Sequence, residues 1–128
     1  IWLDRVLEER QIGNVDFIKV DIEGAELSVL KGATELLSRI PRPVILAEVQ
    51  DARTEPWGYP AREIIRFLAD IGYTWFRPLP DGRIEEMDAT QAKYDGNFIA
   101  IPAEQLASAN QWLAGPNETA QVAGVSQP

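Results

Sequence analysis

Residues 16–26, Asp-Phe-Ile-Lys-Val-Asp-Ile-Glu-Gly-Ala-Glu, constrain this chain more than any other stretch. Phe17, Ile18, Val20 and Ile22 form a short apolar run, the pattern of a strand covered on both faces. Asp21 and Glu23 stand where that strand runs out. In an open α/β sheet, ligands bind outside the carboxyl ends of the strands. Gly24 permits a tight turn or a close backbone approach. Beyond it, Leu27, Leu30, Ala33, Leu37 and Ile40 recur at helical spacing, which predicts a helix to about residue 39. Glu26 falls in its first turn, where the helix dipole favours a negative charge.

The same grammar repeats downstream. Residues 3–11 read as a short helix with Leu3, Val6 and Leu7 inward. Pro41-Arg42-Pro43 stops the helix after Gly24 and opens a second strand, residues 43–49, again apolar and again carrying a carboxylate, Glu48, near its end. Two parallel strands with a helical crossover follow from this order. Residues 50–59 read as a polar loop, longer than the usual 2–6 residues and so a candidate functional segment. Pro60 suits the start of a helix whose stripe is Ile64, Ile65, Leu68 and Ile71, with Gly72 at its end. A strand over 73–77 follows, then a turn at Pro80-Asp81-Gly82 and a return strand over 83–87. Asp95-Gly96 reads as a turn before a last strand over 97–101, and a short helix over 104–113 closes the domain. One domain over 1–113 and a disordered tail over 114–128 are expected.

Charge and composition exclude several functions. A net charge of −8 argues against unaided binding to nucleic acid or to an anionic membrane surface. No cysteine and no histidine occur, so thiol chemistry and histidine–metal sites are out. A general base must be a carboxylate, a lysine or a tyrosine. No apolar run approaches the roughly 20 residues of a membrane span, and a cytoplasmic location is expected. The opening residues, Ile1-Trp2-Leu3-Asp4, resemble neither a signal peptide nor a usual translation start. They read as the interior of something longer.

Ile18-Lys19-Val20-Asp21-Ile22-Glu23-Gly24-Ala25-Glu26, with Val29-Leu30-Lys31-Gly32-Ala33 one to two turns later, resembles the FkbM family of S-adenosylmethionine-dependent methyltransferases. The helix at Leu3-Asp4, the strand ending at Glu48, Ile71-Gly72-Tyr73 and Asn97-Phe98-Ile99-Ala100 resemble the family's flanking elements. The resemblance covers residues 3–102. It implies a Rossmann-like class I methyltransferase sheet of α/β class. This chain would be its C-terminal half, with strands four to seven of seven, mostly parallel, the last antiparallel, and helices on both faces. No Gly-x-Gly-x-Gly occurs, so the cofactor loop of such an enzyme would precede Ile1, and this chain alone should bind S-adenosylmethionine weakly or not at all.

Methyl transfer to oxygen needs an acceptor held in line with the sulfonium and relieved of its proton. Asp21, Glu23 and Glu48 are the candidate catalytic residues. Neighbouring strands lie about 4.8 Å apart, so one ligand or cation could touch Asp21 and Glu48 together. Oxygen-only donors suit Mg²⁺ or Ca²⁺, with Asp21 and Glu48 as ligands and Gln50 and Asp51 able to complete the shell. Trp57 and Tyr59 are candidates to line a substrate pocket together with Gln50 and Asp51. Each has a structural reading too. Asp21 could cap the turn, Glu23 could accept helix-start N–H groups, and Trp57 and Tyr59 could cover a core. Lys19 reads as a side chain reaching solvent from the sheet edge.

The expected reaction is methylation of a hydroxyl on a sugar or secondary metabolite, the acceptor being a small molecule or glycan. A non-catalytic module that keeps the fold and binds a partner through its acidic edge is the alternative. A phosphoacceptor or nucleotide-hydrolysing domain is a third, disfavoured because no Gly-x-x-x-x-Gly-Lys-Ser/Thr is present. The strand over 16–21 would have an open edge, which invites pairing with a second copy.

Overall fold

The computed structural model describes residues 2–114. The tail expected over 114–128 lies, from residue 115 on, outside the described residues. Five strands form one sheet in the order β1-β2-β5-β3-β4: β1 is Phe17–Val20, β2 Val44–Gln50, β3 Tyr73–Pro78, β4 Ile84–Glu86 and β5 Asp95–Pro102. Helices α1 (Leu3–Glu9), α2 (Glu26–Lys31), α3 (Asp51–Thr54), α4 (Arg62–Ala69) and α5 (Leu106–Ala109) surround it. No helix among them is long and apolar enough to cross a membrane.

Only part of the sheet is parallel. β1 and β2 pair parallel through Phe17–Val44 to Val20–Ala47. The β2–β5, β3–β5 and β3–β4 pairings are antiparallel. The expectation of a mostly parallel sheet is therefore corrected. The last strand enters between β2 and β3, so a single antiparallel insertion converts two interfaces at once. β1, β2 and β3 still run in one direction.

One face of the sheet carries the core. Ile45, Ala47 and Val49 alternate along β2 with the half-buried Val44, Leu46, Glu48 and Gln50. The buried set meets Val20, Trp75 and Ala100 from the sheet, Leu27 and Leu30 from α2, and Ile64, Ile65 and Leu68 from α4. Burying each of these larger side chains contributes roughly 1.5–3 kcal/mol. That packing holds α2, a six-residue helix too short to persist alone. Trp75 adds a specific tie, its Nε1–H donating to Ile65 O at 2.9 Å. Among the described residues the opposite face is covered at one end, where α5 and the chain after it pack Leu106, Ala109 and Leu113 on Phe76, Ile84 and Ile101. The expected helices on both faces reduce to this segment on the second face, and Phe17 on β1 stands 55% exposed.

Several boundaries also move. The helix expected to about residue 39 ends at Lys31 and resumes as a 3₁₀ turn, Leu36–Ser38. Asp4 causes this: its carboxylate accepts the N–H groups of Glu35 and Leu36 at 2.7 and 3.0 Å, starting a new turn there. The expected loop over 50–59 is α3 plus a 3₁₀ turn, Glu55–Trp57. Asp95-Gly96, expected as a turn, belongs to β5 and pairs with Gln50 and Val49. Ile71 lies past the end of α4 and is exposed, whereas Ile64, Ile65 and Leu68 are fully buried.

Candidate functional site

The parallel register of β1 and β2 positions the site. Val20 pairs with Ala47, so the next residue of each chain segment, Asp21 and Glu48, emerges at the same edge of the sheet. Glu26 reaches the same place from the first turn of α2. Carboxylate oxygens of Asp21, Glu26 and Glu48 all lie within 4.8 Å of one another. Asp21 is exposed, Glu48 half-buried and Glu26 buried.

Their environments differ. Glu26 is satisfied, its Oε2 accepting the N–H of Ile22 at 2.8 Å and its Oε1 that of Gly24 at 3.0 Å. Glu48 Oε1 is buried and has no hydrogen-bond partner among the described residues. Burial pushes the Glu48 carboxyl above its ordinary value, and the negative charges of Asp21 and Glu26 push it further. The Arg53 guanidinium opposes them. Such a carboxylate is a stronger base than one in water. Three carboxylates at this spacing are also an oxygen donor set that a hard cation could share.

The other candidates fall in different places. Glu23 is not part of the cluster; its side chain is exposed and pairs loosely with Arg53 at 3.8 Å. Its backbone takes the left-handed conformation, φ 54°, and Gly24 follows at φ 109°. Trp57 and Tyr59 brace that turn. The indole Nε1–H of Trp57 donates to Glu23 O at 3.1 Å, and the Tyr59 hydroxyl donates to Gly24 O. A Cβ on Gly24 would overlap Arg53 O and the Trp57 indole, at 2.6 Å from its Nε1. Trp57 and Tyr59 also wall a cleft of about 1000 Å³ between α1, α2 and the 51–59 segment, together with Trp2, Arg5 and Lys31. Gly24 belongs to both regions, lining the cleft and giving its N–H to Glu26.

Asp51 serves the fold. It is buried, and its oxygens accept the N–H groups of Ala61 at 3.1 Å and Tyr94 at 2.7 Å. Burial alone would raise its carboxyl, but the Tyr94 and Ala61 N–H groups outweigh that and hold it below its ordinary value. Gln50 ends β2 opposite Asp95. Lys19 is exposed.

Sequence reasoning brings Asp21 and Glu48 to one edge, and the fold places them there. It misses Glu26 as a third member. The available signal was the spacing: a glutamate two residues after a strand-end glycine can reach back over the turn.

A family model described as the methyltransferase FkbM domain matches residues 1–74. Neither a curated protein nor a solved structure matches the chain.

Proposed function

The chain belongs to the FkbM methyltransferase family, and from that premise we propose that it forms the acceptor side of an O-methyltransferase acting on a hydroxyl of a sugar or secondary metabolite. The observation that carries this is the carboxylate cluster at the sheet edge, with a buried and unmet oxygen on Glu48. The acceptor O–H donates to Glu48, with Asp21 alongside. As the oxygen becomes nucleophilic its proton passes to the carboxylate, which then returns it to water. A base whose proton affinity is raised toward working pH suits this transfer, which contributes typically 10²–10⁴-fold in rate. Burial and two negative neighbours supply that raise. The resemblance to a class I methyltransferase sheet adds support: β5 lies antiparallel between strands that share one direction.

S-adenosylmethionine is the methyl donor that the family implies, and when bound it supplies an electrophilic methyl group. The described residues do not fit it. The glycine turn at the end of β1 is filled by Arg53, Trp57 and Tyr59 rather than open to a nucleoside. The described residues are thus assigned to the acceptor. Trp57 and Tyr59, which wall the cleft beside Gly24, orient the acceptor's body.

The test is methyl transfer by the full-length protein from tritiated S-adenosylmethionine to a panel of methyl glycosides and phenols. Asp21→Asn and Glu48→Gln are each expected to lower kcat by about 10²-fold or more. If both stay within threefold of wild type, the proton-acceptor reading fails. An oxygen-only cluster also suits Mg²⁺. Loss of turnover in EDTA, restored by Mg²⁺, would assign proton removal to a cation held by Asp21 and Glu48.

A further inference from the structure

Glu26 is bonded to the acidic turn rather than to the helix it begins. It is the first residue of α2 and only 1% exposed. A carboxylate at a helix start ordinarily accepts N–H groups of its own first turn. Glu26 turns the other way, onto Ile22 N–H and Gly24 N–H, both ahead of the helix. Those two groups flank Glu23. Two successive left-handed residues, Glu23 and Gly24, make a backbone that only its surroundings can hold. Glu26 holds the Ile22 and Gly24 N–H groups while Trp57 and Tyr59 hold the Glu23 and Gly24 carbonyls.

Stability alone does not explain a glutamate at this position. A buried carboxylate is costly to desolvate, and this one adds a negative charge within 4.8 Å of Asp21 and Glu48. Like charges this close oppose folding. A carboxylate, however, accepts two N–H groups and brings no donor of its own, whereas an amide would set N–H against N–H. From this geometry we infer that Glu26 is the positioning residue of the site: it fixes the turn that carries Asp21, so that the Asp21 and Glu48 carboxylates meet at the sheet edge. The inference rests on the proton-acceptor reading above. Glu26 is not itself the base, because both its oxygens already accept backbone N–H groups.

The experiment uses Glu26→Gln and Glu26→Asp in the full-length protein, with tritiated S-adenosylmethionine and the methyl glycoside or phenol that wild type turns over fastest. Glu26→Gln is expected to lower kcat at least tenfold with acceptor KM within twofold. The Glu26→Gln/Glu48→Gln double variant is expected within threefold of Glu48→Gln alone, because Glu26 acts through that pair. Glu26→Asp keeps two acceptor oxygens and is expected to recover part of the loss. A spectroscopic readout stands apart from turnover. In the ¹⁵N-labelled protein the Ile22 and Gly24 amide protons are expected downfield, shifted by the carboxylate, and upfield of that in Glu26→Gln. A kcat within twofold of wild type in Glu26→Gln, or losses that multiply in the double variant, would overturn the inference. So would ordinary Ile22 and Gly24 amide shifts in the unsubstituted protein, which decides the matter if the variants do not fold. If Asp21→Asn and Glu48→Gln lose turnover while Glu26→Gln does not, only this inference falls. If those two retain it, the proton-acceptor reading falls.

Discussion

At the scale of single residues, Gly24 and Glu48 carry the sharpest consequences. Gly24 combines a positive φ with atoms packed against the place a Cβ would occupy. Gly82 has a similar φ of 88° and open space around it. Gly24→Ala is therefore expected to cost roughly 3–5 kcal/mol in urea denaturation, against about 1–2 for Gly82→Ala, which pays for backbone conformation only. Equal costs would mean that the Trp57 brace yields freely. Glu48 presents the opposite case. Its carboxyl is raised by burial first and by Asp21 and Glu26 next, so the folded state prefers it protonated. That preference stabilises the protein below the ordinary carboxylate value and is lost as pH rises through the raised one. At pH 7 the fold bears the cost of the charge. Glu48→Gln is expected to raise Tm by a few degrees at pH 7 while lowering kcat by about 10²-fold or more. A fall in Tm would show that the carboxylate is better solvated than its unmet oxygen indicates.

At the scale of elements, the segment after β2 and the segment after β5 do structural work through single carboxylates. Asp51 ties α3, the start of α4 and the approach to β5 together through Ala61 and Tyr94. Glu104 anchors the chain after β5 to the residues before β2. It accepts the Arg42 N–H at 2.7 Å and pairs with the Arg42 guanidinium at 3.0 Å, while Arg42 also donates to Ile71 O and stacks over Tyr73. The Arg42 guanidinium holds the Glu104 carboxyl down to about 2. A depressed carboxylate contributes stability above its unfolded value, near 4.5, and loses it as pH falls toward 2. Thermal melts across pH 5 to 2 should therefore show Tm falling. Glu104→Gln should flatten that fall and lower Tm at pH 7, as removal of one partner of a largely buried pair costs about 3 kcal/mol. An unchanged pH dependence in Glu104→Gln would place the acid-sensitive contact elsewhere.

At the scale of the whole molecule, the asymmetry of the sheet matters most. The core face is filled by α2 and α4, whereas among the described residues the other face is covered by the segment packed on Val44, Phe76, Ile84, Ile99 and Ile101. β1 lies at the end of the strand order, with Phe17 exposed on it and Ile12 and Ile22 exposed beside it. An apolar edge strand pairs readily with another strand. The 128-residue chain by itself is expected to self-associate through β1. Light scattering at rising concentration should report the dimer, and Phe17→Lys should return it to monomer. A monomer at millimolar concentration without substitution would count against this edge as the contact.

How much of the fold and site is legible in the sequence depends on the range of the interaction. The alternation of strands and helices, the buried stripe of Ile64, Ile65 and Leu68, and the meeting of Asp21 with Glu48 were readable, because side-chain periodicity and parallel register are local rules. The sequence by itself thus determined an α/β order with two strand-end carboxylates on neighbouring strands. What it left open depended on residues far apart in the chain. Asp4 divides the helix after Gly24 by capping Glu35 and Leu36 from more than thirty positions away. Whether both faces of an apolar strand are covered depends on its neighbours rather than on its composition, so Phe17 reads as buried and stands exposed. Glu26 reads as a dipole residue and proves to be the third carboxylate, because only the folded turn brings Ile22 N–H and Gly24 N–H within its reach. Trp57 and Tyr59 gain their role the same way, through backbone carbonyls that tertiary packing alone delivers.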